Sequence, residues 1–211
     1  MRNTLYLILC VLAAVALWGC GGIKKTGYEK RFYVLDVAAP EVVDVQTREK
    51  ATSDILTVRR VQVSPQYDHR DLIYKRAGGH IESDFYNAFF SLPSAMITQQ
   101  LHSYLDKTHL YKEVITTDSL VESSIILETN IAALYWDVTG VPKAVVEFEF
   151  FLLDDRTAEK IILTHKVVTR VPAPRKDPDA LIAAMSKALG KGFGELTEKL
   201  RNHLNDGVVQ Q

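Results

Sequence analysis

Cysteine is almost absent from this chain. Its 211 residues hold two, Cys10 and Cys20, both near the start. Beyond Cys20 the chain can form no disulfide, no thiolate metal site and no cysteine nucleophile, so its fold rests on a hydrophobic core. An excess of charge of one sign is missing too, with 25 Lys and Arg against 26 Asp and Glu. That balance argues against a nucleic-acid partner or a polybasic membrane patch. No apolar run after Leu17 is long enough to span a bilayer. The 6 histidines include no HExxH or other ligand-spaced set. There is no Gly-x-Ser-x-Gly elbow. Lys191-Gly192-Phe193-Gly194 neither follows a strand nor has P-loop spacing. Glu147 and Glu149 share a strand face, but lysines flank that face, which reads as solvated and charge-balanced. These absences give no sign of an enzyme and no cofactor or metal site.

What is present begins at Cys20. Arg2 is followed by an apolar stretch from Leu5 to Leu17 and then by Trp18-Gly19-Cys20. A short charged start and an apolar run too short to cross a membrane make a secretory signal, residues 1–19. A Cys at the cleavage point behind small Gly19 looks like a bacterial lipobox, with Cys20 as the lipidation site; the alternative is a plain secreted protein with a chance Cys. Two or more acyl chains anchor a protein stably, at about 0.8 kcal/mol per buried CH2. Gly21 and Gly22 follow, with no Asp to favour inner-membrane retention. The expected location is therefore the outer membrane, periplasmic face.

Residues 20–31 read as a lipidated flexible tether, whose Gly21–Arg31 stretch reaches at most about 35 Å. Residues 32–204 read as one domain and 205–211 as a frayed tail. Expected strands are Phe32–Val37, Ile55–Val63, Asp71–Arg76, a weaker piece at His80–Ser83, Tyr111–Thr116 and Ser124–Trp136. In the last of these, Ile125, Leu127, Thr129, Ile131, Ala133 and Tyr135 should face the core. Lys143–Leu153 and Ala158–Val171 form the clearest hairpin, with Leu153 opposite Ala158 and Phe150 opposite Ile161. One helix should start near Pro93 with Ser91 as N-cap and bury Ile97, Leu101, Tyr104, Leu105 and Thr108. A long closing helix should start at Pro178 behind Asp177. It carries a stripe through Leu181, Met185, Leu189, Phe193, Leu196 and Leu200. Gly190, Gly192 and Gly194 imply a kink or a close backbone contact there. The fold class is α+β, a mainly antiparallel sheet packed against two α-helices.

Between Tyr67 and Phe90 lie Tyr67, Tyr74, Phe85, Tyr86, Phe89 and Phe90, with Arg70 and Arg76 among them. Exposed aromatics and Arg are typical interface anchors. The candidate partner interface is Tyr67, Arg70, Tyr74, Arg76, Phe85 and Tyr86; the alternative is that the rings pack under the first helix.

In order, these motifs resemble the ABC-type transport auxiliary lipoproteins, the group that includes paraquat-inducible protein C. The resemblance runs from Cys20 through Phe32-Tyr33-Val34-Leu35 to Val61-Gln62-Val63-Ser64-Pro65-Gln66-Tyr67. It continues in Ile73-Tyr74-Lys75-Arg76 and in Phe90-Ser91-Leu92-Pro93, where the family has Trp-Ala-x-Pro. It implies a non-enzymatic periplasmic lipoprotein working with a lipid-moving ABC system. The implied partners are an MCE-domain protein of that system, the membrane through the anchor, and a second copy of the chain as a homo-oligomer. An envelope-assembly lipoprotein that binds an outer-membrane protein, and a lipid carrier, are the alternatives.

Overall fold

In the computed structural model the structure describes residues 29–40 and 52–209, with side chains to Asp206. The signal segment, Cys20, most of the tether and the stretch 41–51 lie outside the described residues. The elements are β1 (Arg31–Tyr33), β2 (Thr52–Val58), β3 (Gln62–Val63), β4 (Asp71–Lys75), β5 (Ile81–Phe89), α1 (Pro93–Asp106), β6 (Tyr111–Thr116), β7 (Ile125–Asp137), β8 (Lys143–Asp154), β9 (Ile161–Pro172) and α2 (Pro178–Val209).

Among the described residues the strands form one mixed sheet of 9 and two α-helices pack against it, so the fold is α+β. Its long ladders, β7 with β8 and β8 with β9, are antiparallel. The other edge of β7 is shared along its length by β2, β3 and β4, in short parallel pairings at Ile125–Leu127, Asn130–Ile131 and Trp136–Asp137. β6 extends the sheet beyond β2, while β5 and then β1 extend it beyond β4.

Sharing one long edge among three strands requires breaks, and two of them move side chains between faces. Ile55–Val63, expected as one strand, is interrupted at Arg59-Arg60, both exposed. The core set is Leu56 and Val58 before the break and Val61 and Val63 after it, so the chain changes face. Across the gap Thr98 of α1 accepts the Val61 N–H at 2.8 Å in place of a strand partner. In β7 the register slips between Ile131 and Ala133, a bulge that reverses the alternation. Leu134 and Trp136 are buried where Ala133 and Tyr135 were expected.

The β8–β9 hairpin also differs from expectation. Leu153 pairs with Ile161 and Phe150 with His165, because the loop is longer and is closed by Asp154 N–H donating to Lys160 O at 2.8 Å. The offset at Phe150 is even, so the apolar face survives, and Glu149 now faces Lys166, with which it forms an ion pair.

Both helices lie on the sheet face that carries Phe148 and Phe150. Leu181, Met185, Leu189, Phe193, Leu196 and Leu200 of α2 are buried there with Ile97, Leu101 and Leu105 of α1. Asp177 caps α2, its carboxylate accepting the Ala180 N–H at 2.9 Å. α1 begins at Pro93, but Ser91 is not its cap; Asp68 from the β3–β4 loop accepts the Ser94 N–H at 3.0 Å instead. His102 donates to Val114 O of β6 at 3.0 Å, tying α1 to the sheet. The glycine cluster marks a close approach: a Cβ on Gly192 would lie 2.4 Å from the Phe148 ring. β1 is shorter than expected, ending at Tyr33, after which the chain leaves the sheet and crosses the helices.

Candidate docking surface

β4 and β5 are joined by a tight turn at Ala77–Gly79, where Gly78 and Gly79 have φ of 78° and 81°. Those left-handed values are strained for residues with a Cβ. From the turn the ladder runs regularly, Lys75 against Ile81 to Ile73 against Ser83. It resumes at Asp71 against Ala88. Between those points β4 passes only Leu72, while β5 passes Asp84, Phe85, Tyr86 and Asn87. The surplus is pushed out of the sheet as a bulge.

Asp84 organises that bulge. Its Oδ1 accepts the N–H groups of Tyr86 and Asn87, each at 2.9 Å, and its Oδ2 accepts Asn87 Nδ2–H at 2.9 Å and the Tyr74 hydroxyl at 3.0 Å. Burial opposes ionisation of Asp84, but the bonds from Asn87, Tyr86 and Tyr74 outweigh it and hold its pKa below the usual carboxylate range. Tyr74 is pushed the other way, by burial and then by the negative charge of Asp84, so its hydroxyl remains a donor. At the tip stand Phe85, 80% exposed, and Tyr86, 46% exposed, with ring centroids 5.2 Å apart edge to face.

The six candidate residues therefore separate. Arg76, Phe85 and Tyr86 line one groove of about 390 Å³ with Glu82, Val138 and Pro178. Arg76 is also ion-paired to Glu82, Nε to Oε2 at 2.5 Å. Tyr74 lines the groove from below, but it is 8% exposed and its ring lies 5.8 Å from Trp136 in the core. Tyr74 is thus a support of the surface and not a contact on it, which corrects the expectation drawn from sequence. Phe89, from the same aromatic cluster, is also core, 5.9 Å from Trp136. Tyr67 lies apart, half-buried and stacked on Tyr135 at 6.0 Å.

Arg70 sits at the far end of β5. Its Nε donates to Phe89 O at 3.0 Å and its guanidinium lies 5.0 Å from the Phe32 ring. Phe32 and the neighbouring Phe90 are exposed. Sequence reasoning omitted Phe32 and Asp84. An Asp followed by Asn three residues later in a strand pattern is the local signal that could have marked the Asp84 turn. The exposed, pre-formed aromatic pair with a cation beside it is suited to burying rings against a protein partner. Among the described residues no group of His, Cys, Asp or Glu could hold a metal ion. Among them no helix is long and apolar enough to cross a membrane.

The family model described as "ABC-type transport auxiliary lipoprotein component" matches residues 33–193. Among solved structures, protein XCC0632 from Xanthomonas campestris, of the DUF330 family, is similar with a TM-score of 0.71 at 16% identity. The match covers 86% of this chain and 100% of that one. An uncharacterized protein is similar with a TM-score of 0.65 at 11% identity, over 82% of this chain and 99% of the other. At these identities the likeness shows the fold alone. No curated protein matches the chain.

Proposed function

Because the chain belongs to the ABC-type transport auxiliary lipoprotein family, we propose that it is the non-enzymatic, membrane-anchored auxiliary subunit of an MCE-type ABC system that moves lipid between the inner and outer membranes. Cys20, acylated after removal of residues 1–19, holds it to the periplasmic face of the outer membrane. The tether gives the domain room to meet a partner without leaving the membrane, since its extended reach is about 35 Å. Docking runs through Phe85, Tyr86 and Arg76, with Arg70, and Phe32 of β1, beside the far end of β5.

The observation that carries this reading is the family match over 33–193. The exposed Phe85–Tyr86 pair supports the choice of surface, because Asp84 holds it in place before any partner arrives. Pre-organisation lowers the cost of ordering an interface. The test is affinity purification of the full-length lipoprotein from its own membranes, with and without Phe85→Ala/Tyr86→Ala. Co-purification of an MCE-domain protein by the parent and its loss in the double variant is the expected result. Wild type that brings down no MCE-domain protein, or a variant that brings down as much as the parent, overturns it.

A further inference from the structure

A second groove, of about 910 Å³, is not part of the docking surface. It runs along α2, where the chain crosses the helices after leaving β1. There the backbone is held by side chains: Asp36 N–H donates to Ser186 Oγ at 3.1 Å and Val37 N–H to Gln100 Oε1 at 2.9 Å. Leu35 and Val37 are buried, leaving Val34 and Ala39 along the groove on one side, with Ile182 and Ala183 of α2 on the other. The lining spans Asp179 to Lys191 on α2, about 18 Å at 1.5 Å per residue. That is close to half the roughly 30 Å hydrocarbon thickness of a bilayer, the depth one acyl chain fills in its own leaflet.

The polar groups are unevenly placed. Lys187 and Lys191 stand one helical turn apart at the end of the groove, and neither is ion-paired among the described residues. Asp179 lies two turns away at the opposite end, and Asp36 borders the rim beside Ser186. Residues at this spacing are neighbours on a helix surface, so one carboxylate can meet both ammonium groups. A volume in the range of about 300–1,000 Å³, with apolar walls and few convergent polar groups, is that of a small-molecule site.

We propose that this groove binds a free fatty acid, its chain along Ile182 and Ala183 and its carboxylate between Lys187 and Lys191. The assignment rests on the lipid-transport reading above and names a ligand class for this chain itself. Affinity grows with every CH2 buried, which favours a long chain over a short one.

The test uses the full-length lipoprotein in phosphatidylcholine vesicles with hexadecanoic acid bearing a terminal diazirine, and with its methyl ester. After irradiation, mass spectrometry should find saturable labelling on the peptides carrying Val34–Pro40 or Ile182–Lys191. Ala183→Trp, at an exposed position where a large ring fills the groove, should reduce labelling about tenfold at unchanged thermal stability. Lys187→Gln/Lys191→Gln should weaken labelling by the acid and leave labelling by the ester unchanged. Labelling that does not saturate, that falls only outside the groove, or that persists in a folded Ala183→Trp variant overturns the proposal. So does an equal loss for acid and ester. Labelling that emerges only in Cys20→Ser would mean the groove holds the protein's own anchor, which also overturns it. Co-purification of an MCE-domain protein, scored on the same variants, separates failure of the groove from failure of the transport reading.

Discussion

The indole Nε1–H of Trp136 donates to the carbonyl oxygen of Leu181 at 2.7 Å, joining the end of β7 to the first turn of α2. Both residues are almost fully buried. The bond places the start of the closing helix over the aromatic group formed by Tyr74, Phe89 and Trp136. That group also lies beneath the strands that present the candidate surface. Trp136→Phe removes the donor and part of the ring, and is expected to cost about 1–3 kcal/mol in urea unfolding. An unchanged midpoint and slope would show that the bond does not anchor the helix.

Gly192 and Gly194 of α2 should respond differently to one methyl group. Ala is better than Gly in a helix by about 1 kcal/mol. At Gly194 the new Cβ meets only Tyr104 Oη at 3.6 Å, so Gly194→Ala should raise the melting temperature. At Gly192 the methyl would run into the Phe148 ring, and overpacking of this kind typically costs about 1–3 kcal/mol. Gly192→Ala should therefore melt lower than wild type. Equal shifts for the two variants would mean that α2 does not press on β8 as described.

At the bulge, stability and binding should come apart. Phe85→Ala removes an exposed ring and should change stability by less than about 0.5 kcal/mol. Its effect should fall on partner affinity, by about 2 kcal/mol if the ring is an anchor. Asp84→Ala releases the amides of Tyr86 and Asn87 and leaves the buried Tyr74 hydroxyl without its acceptor, and should lower stability by about 1–3 kcal/mol. Calorimetry on the two variants, paired with co-purification, checks both statements. A Phe85→Ala variant that melts several degrees lower would place that ring in the core.

Acid should expose the turn between β7 and β8. Asp137 accepts the Thr139 hydroxyl at 2.7 Å and its N–H at 3.0 Å, and pairs with Lys143 at 3.1 Å. The Thr139 bonds first, and then Lys143, pull its pKa down to about 2. Because the folded state prefers the ionised form, this contribution is fully present above the pKa of an ordinary Asp. It is lost as the pH falls towards 2. Asp137→Asn should flatten the stability profile between about pH 4 and 2 and leave its slope near neutrality unchanged. An acid limb as steep as wild type would remove Asp137 from the account.

Local pattern determined much of this protein. The 3.6-residue stripe from Leu181 to Leu200 is enough to place α2 and its buried face, and Asp177-Pro178 is enough to start it, because cap chemistry acts within one turn. Alternation marked β7, β8 and β9, and the order of short motifs pointed to the family, whose model matches 33–193. The tertiary structure decided which face each alternating set presents. β7 must serve β8 on one edge and three short strands on the other, and no straight strand satisfies both. The slip after Ile131 and the break at Arg59-Arg60 resolve that conflict, and each exchanges the inward and outward residues beyond it. A period of two carries no trace of an extra residue inserted to suit a distant partner. For the same reason adjacent aromatics of one cluster part company. Tyr74 is drawn under Trp136 by the sheet, while Phe85 is pushed out by residues that β4 has no room to pair.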